Sequence, residues 1–203
     1  MPATSHKDLR HIRHWIFDMD GTLTIAQHDF AMMKKVLEIP EEEDILTNLE
    51  ALPLADKNAR LRWLMEYELK VAKATETAKG AKELLLFLEE KSSHFAILTR
   101  NLQDLAFLTL TAAKVDQFFP EKHVIGRENA TPKPSPDAIL MLLAEWNIDP
   151  TEAVIVGDHE YDLAAGKNAG IQTILVNHDH NIYPDLADYY FESCEALLNH
   201  LHN

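Results

Sequence analysis

The sequence predicts a doubly wound α/β domain, a parallel sheet with helices on both faces and a small α-helical insertion. Three observations predict it. Short apolar runs recur along the 203 residues and end in polar ones, the segments between them are long enough for helical crossovers, and one such segment is far longer than a single crossover requires. Strands buried on both faces lose the apolar/polar alternation of a half-exposed strand, so uninterrupted runs are the expected mark of internal parallel strands.

The first run, His14-Trp-Ile-Phe, follows a polar, basic stretch from Met1 to Arg13 and leads into Asp18-Met19-Asp20-Gly21-Thr22. Two carboxylates two residues apart leave this strand together, and the glycine permits a tight turn. From about Gln27 to Ala78 the pattern is helical throughout, with helices expected at about Asp29 to Glu38, Glu41 to Ala51 and Leu54 to Ala74. Pro40 followed by three glutamates fits a helix start, with acids near the positive end of the dipole, and Pro53 marks the next boundary. The expected division is a core of residues 1–26 and 79–203 with a helical cap at 27–78.

Lys79-Gly-Ala-Lys-Glu-Leu-Leu-Leu-Phe-Leu reads as an amphipathic helix feeding Phe95-Ala-Ile-Leu, which ends in Thr99-Arg100-Asn101. A short strand is expected around His123 to Ile125, and Lys133 follows in Thr131-Pro-Lys-Pro-Ser-Pro136. Ala153-Val-Ile-Val runs into Gly157-Asp158-His159-Glu160-Tyr161-Asp162 and a helix through Asn168 that Gly170 stops. Thr173-Ile-Leu-Val is the last run.

Composition narrows the partners. With 46% apolar and 26% charged residues the chain is expected to fold as an ordinary globular protein. Its formal charge of −14 opposes the polyanionic backbone of nucleic acid, although a local cation can still hold a small phosphate. No stretch approaches the roughly 20 apolar residues of a membrane span. Cys194 is the single cysteine, which excludes an intramolecular disulfide, reads as a packed thiol and fits a reducing, cytoplasmic location.

In open α/β sheets ligands bind beyond the carboxyl ends of the strands, where two separate strands here deliver acids. Like charges 4 Å apart repel by about 4 kcal/mol at an effective dielectric of 20, so Asp18, Asp20 and Asp158 call for a cation or for protonation, and all-oxygen ligation suggests Mg2+. Thr99 and the turn after it offer a hydroxyl and amides to a phosphate oxygen, although β propensity alone would also explain a threonine there. The prolines beside Lys133 restrict where its ammonium points; the competing reading is a solvated surface charge. Asp162 reads as a helix-capping or first-turn acid, a role that can coexist with support of the metal site.

Together, Asp18 to Thr22, Thr99, Lys133 and Gly157 to Asp162 resemble the ordered motifs of the haloacid-dehalogenase superfamily. The Lys133-Pro-Ser-Pro-Asp-Ala and Gly157 to Gly170 segments look like its phosphoglycolate-phosphatase-like members. The resemblance implies that Asp18 attacks phosphorus and becomes a phosphoaspartate, while Asp20 protonates the leaving alcohol and later deprotonates water. It further implies Mg2+ held by the Asp18 carboxylate, the Asp20 carbonyl and Asp158, with Thr99, Arg100, Asn101 and Lys133 binding the phosphoryl group of a small phosphorylated metabolite and Asp162 in support. Dehalogenase chemistry is disfavoured because it uses neither the second aspartate nor the metal. A phosphomutase of the β-phosphoglucomutase type uses the same core residues, and a phosphonatase would need a Schiff-base lysine such as Lys34 or Lys35. A noncatalytic phosphate-ligand-binding protein is the alternative of a different class.

Thr24-Ile-Ala-Gln-His28 departs from the Val-Asp-Ser usual among those phosphatases, which weakens any transfer of substrate identity. His28, Arg60 and Arg62 are candidates to meet a substrate anion, with solvent exposure or salt bridging as the alternative for each. His178-Asp179-His180 invites a second metal site but reads better as a polar loop.

Overall fold

The computed structural model describes residues 8–203, so the first seven residues of the basic N-terminal stretch lie outside it. Six strands form one sheet: β1 (His14–Phe17), β2 (His94–Leu98), β3 (Val124–Ile125), β4 (Ala153–Gly157), β5 (Gln172–Val176) and β6 (Tyr189–Phe191). Their order is β3-β2-β1-β4-β5-β6 and every pairing is parallel. The four long runs and the short strand near His123 therefore form strands as the sequence predicts. β6 was not predicted; three residues of intermediate burial give too short a pattern to read.

The register shows why the runs are continuously apolar. Trp15 and Phe17 of β1 share one buried cluster with Phe95, Ile97, Val154 and Val156, whereas Ile16, Ala96, Ala153 and Ile155 point into a second cluster. Helices α4 (Ala81–Glu90), α5 (Gln103–Ala112) and α8 (Cys194–His202) cover the first face through residues such as Leu84, Leu110 and Leu197. Helices α6 (Asp137–Trp146) and α7 (Glu160–Ala169) cover the other through Ile139, Leu142 and Ala165. Helix α8, capped by Ser193, also went unpredicted; its Cys194 is the packed thiol expected, fully buried with Sγ 3.5 Å from the Thr22 carbonyl.

Between β1 and α4 the chain leaves the sheet and returns beside itself. The Ile25 amide donates to the Glu76 carbonyl and the Ala78 amide to the Leu23 carbonyl, both at 2.9 Å. The excursion holds α1 (Phe30–Leu37), α2 (Ile45–Glu50) and α3 (Leu54–Ala74), which bury a separate cluster of Met33, Leu37, Ile39, Ile45, Leu49 and Leu64. Helix α3 packs on α5 of the sheet layer. The helix predicted over Glu41 to Ala51 needs correction, because it begins at Ile45. A turn closed from the Glu43 amide to the Pro40 carbonyl precedes it, and Asp44 accepts from the Thr47 amide at 3.0 Å as the N-cap. An aspartate bonding its own helix start is a stronger stop than acids near a dipole. Among the described residues no helix is long and apolar enough to cross a membrane.

Candidate active site

The carboxyl ends of β1, β2 and β4 meet at one edge because these strands are neighbours in register, Phe17 lying between Ile97 and Val156. The Asp18 amide continues the pairing by donating to the Val156 carbonyl at 2.9 Å, so the Asp18 carboxylate is the first group past the strand.

Lys133 arrives from the proline-flanked loop and is 3% exposed, which rules out the surface-charge reading. Its ammonium has three protons and three acceptors: Asp18 Oδ1 at 2.5 Å, the Leu98 carbonyl at 2.6 Å and Asp162 Oδ1 at 2.6 Å. Burial by itself would lower the Lys133 pKa, but Asp162 and Asp18 hold it above the ordinary lysine value. Asp162 is the helix-capping acid expected, because its other oxygen accepts from the His159 amide at 3.0 Å in the capping box of α7. Gly157 is required where β4 passes Asp162, since a β-carbon there would stand 2.3 Å from the Asp162 Cβ.

Asp20 sits opposite. Its Oδ2 accepts from the Asn101 side-chain amide at 2.7 Å, and its Oδ1 lies 4.0 Å from His28 Nδ1. Burial, reinforced by the charge of Asp18, pushes Asp20 up to about 7. Thr99 is buried and its hydroxyl accepts from the Asn101 amide at 3.1 Å, leaving the hydroxyl proton to donate. The Asn101 side chain thus faces Asp20, and the Arg100 guanidinium turns away from the carboxylates to Asp44, at 2.7 and 2.9 Å, stacking over Tyr161.

The turn after β1 is held by groups that sequence reasoning missed. Asn177, in the left-handed region at φ 64°, donates to the carbonyls of Gly21 and Thr22 at 2.7 and 2.9 Å. His178 meets the Asp158 carbonyl at 2.6 Å through its ring nitrogen. Arg127, also unforeseen, pairs with Glu68 of α3 at 2.8 and 3.2 Å. Only contact across the fold could have revealed these, because a lone asparagine or arginine carries no local pattern. His28 lines the pocket, Arg60 pairs with Glu38 at 2.7 Å, and Arg62 and Lys35 are exposed. Lys34 lines the pocket and donates to the Glu41 carbonyl.

One oxygen each from Asp18, Asp158 and Asp162 lies within 4.8 Å of the others, the sole such group of three among the described residues. Burial and the neighbouring carboxylates raise Asp158 and Asp18 above the usual carboxylate range, although Lys133 opposes this. One ammonium against four converging aspartates leaves an excess of negative charge that a hard divalent cation fits, and every donor is oxygen. Asp162 is the least available of the three, because Lys133 and the His159 amide already engage it. The cavity above these groups has a volume of about 430 Å³ and is roofed by α1, α2 and α3.

The sequence profile described as haloacid dehalogenase-like hydrolase matches residues 15–176. A haloacid dehalogenase-like hydrolase domain-containing protein of Arabidopsis thaliana is 31% identical over 191 residues, covering 86% of this chain and 74% of that protein. A phosphorylated carbohydrates phosphatase of Thermotoga maritima is 25% identical over 178 residues, covering 78% and 82%. The crystal structure of a predicted phosphoglycolate phosphatase from Haemophilus somnus superposes with a TM-score of 0.75 at 19% identity over 95% of this chain and 99% of that one, a likeness of fold.

Proposed function

The chain belongs to the haloacid dehalogenase-like hydrolase family, and on that premise we propose that it is a Mg2+-dependent phosphatase that hydrolyses a small phosphorylated metabolite through a phosphoaspartate on Asp18. The observation that carries the reading is the position of Lys133, which neutralises Asp18 from one side while Asp20 faces the same cavity from the other. A carboxylate must approach a phosphate monoester of about −2 charge, so a buried ammonium against the attacking oxygen lowers the repulsion that would otherwise forbid contact.

In this reading Asp18 forms the bond to phosphorus as the ester oxygen departs, and Asp20 gives that oxygen its proton. Asp20 then takes a proton from the water that attacks phosphorus and returns Asp18 to its free carboxylate. A carboxyl whose pKa is pushed up to about 7 is suited to giving and taking a proton near neutral pH. The Asn101 amide orients Asp20, and the Thr99 hydroxyl donates to a phosphoryl oxygen. The side chains of Asp18 and Asp158 and the carbonyl of Asp20 would hold Mg2+, which supplies Lewis-acid stabilisation of the phosphoryl charge. Residues 27–78 act as a cap that closes over bound substrate and reopens for product release, over a core of 1–26 and 79–203. Similarity to a phosphorylated carbohydrates phosphatase supports the reaction class.

The test is phosphate release from p-nitrophenyl phosphate with Mg2+, and 31P NMR of hexose 1-phosphates with their bisphosphate activators. Inorganic phosphate accumulating in step with substrate loss is expected. Conversion to hexose 6-phosphate with little free phosphate would assign the mutase reaction instead.

A further inference from the structure

Besides the aspartates and Lys133, the cavity is lined by residues of the insertion and of the loops after β2, β3 and β4, which are the groups available to the alcohol portion of an ester bound at Asp18. Three of these are cations: Lys34, Arg100 and Arg127. All three are engaged within the protein. Arg127 makes a two-pronged pair with Glu68, the side chains 12% and 6% exposed, and also donates to the Arg100 carbonyl at 3.1 Å. Arg100 is held by both oxygens of Asp44 and by the face of Tyr161, 4.6 Å from its ring centre. Lys34 turns to the Glu41 carbonyl.

Glu42, Glu43 and Glu160 also line the cavity, so with Asp44 and Glu68 five carboxylates face these three cations. Burial pulls Asp44 upward, but the Thr47 amide and Arg100 outweigh it and hold Asp44 below its ordinary value. Burial raises Glu68 against the pull of Arg127, and its two-pronged contact with the guanidinium is that of a carboxylate. The surface offered to the alcohol is therefore apolar through Phe30, Met33, Leu46 and Leu64, and negative in its field. A second anionic group would meet like charge there from Glu42, Glu43 and Glu160, which are solvent-exposed, beside the carboxylates already paired with the two arginines.

We propose that the substrate is a phosphate monoester whose alcohol carries no anionic group, and that Glu68 and Asp44 determine this specificity by occupying Arg127 and Arg100. The inference rests on the phosphatase reading above. Without these two carboxylates the same pair of guanidiniums would form a receptor for a carboxylate or second phosphate. With them, neutral and cationic alcohols are admitted and anionic ones repelled.

Three esters of nearly equal size separate the possibilities: 2-hydroxyethyl phosphate, phosphoethanolamine and 2-phosphoglycolate, assayed for kcat/KM with Mg2+ beside p-nitrophenyl phosphate. The expected result is a value for 2-phosphoglycolate at least about tenfold below both others. Glu68→Gln and Asp44→Asn, made separately, should each narrow that ratio by about tenfold, whatever they do to the absolute rates. A general loss of structure lowers all three substrates together and leaves the ratio in place, and the wild-type comparison stands if either variant fails to fold. Equal or faster turnover of 2-phosphoglycolate by the wild type overturns the proposal. A ratio unmoved by both folded variants overturns the role of Glu68 and Asp44. Failure to hydrolyse even p-nitrophenyl phosphate would instead remove the phosphatase reading on which the inference stands, and the inference with it.

Discussion

The ammonium of Lys133 stands 2.5 Å from Oδ1 of Asp18, two buried residues 115 positions apart in sequence. Replacing Lys133 by methionine removes the cation but keeps the length of the side chain. Turnover of p-nitrophenyl phosphate is expected to fall by roughly 10²–10³. Stability should drop by about 3–5 kcal/mol because Asp18 and Asp162 are left buried and unpaired, and urea denaturation measures it. Adding Asp162→Asn to that variant should restore part of the lost stability and none of the activity.

Asp18→Asn keeps the shape of the side chain and loses the nucleophilic charge. Turnover is expected to fall by at least about 10³ while the far-ultraviolet circular dichroism stays native. Near-wild-type activity, with deamidation excluded by mass spectrometry, would show that Asp18 is not the nucleophile.

Removing divalent cations with EDTA should abolish phosphate release, and Mg2+ should restore it. Binding to the folded state alone adds about 2.7 kcal/mol of stability at a hundred times the dissociation constant, a gain that thermal denaturation reads directly. Asp158→Asn is expected to lose that Mg2+-dependent shift. A full shift in the variant would remove Asp158 from the proposed ligand set.

Gly21 lies at φ 92°, and a β-carbon there would stand 2.3 Å from Oδ2 of Asp158. Gly21→Ala must both strain the backbone and push Asp158 aside. We expect a loss of about 1–3 kcal/mol in urea denaturation together with weaker Mg2+ stabilisation. Unchanged Mg2+ affinity would mean that the turn relaxes without moving the carboxylate.

Burial pushes the Cys194 thiol up to about 12. At pH 8 the folded protein should react negligibly with a chromogenic disulfide reagent and promptly once unfolded in urea. The sign for stability follows from the same shift. Above the ordinary thiol value of about 8.5 the unfolded chain ionises while the folded one does not, so this group contributes a loss of stability as pH rises through the alkaline range. Cys194→Ser should flatten that alkaline decline.

The local sequence was sufficient for what depends on local chemistry. Uninterrupted apolar runs exist because β1, β2, β4 and β5 are buried on both faces, so burial writes the strands directly into composition. Gly21, Gly157 and Gly170 mark a turn, a close approach and a helix stop, each a requirement of one short segment. The motif residues Asp18, Thr99, Lys133 and Asp158 were legible for the same reason, since each directly follows a strand or sits in a constrained loop. Tertiary structure alone decided what these residues touch. That Lys133 spans Asp18 and Asp162, that Asn101 holds Asp20, that Asn177 pins the turn at Gly21, and that Glu68 and Asp44 occupy Arg127 and Arg100 are contacts between segments 56 to 156 residues apart for all but the Lys133–Asp162 pair. A hydrogen bond or ion pair across such a distance leaves no periodicity in either partner's neighbourhood, because its energy depends on the packing that brings the two together.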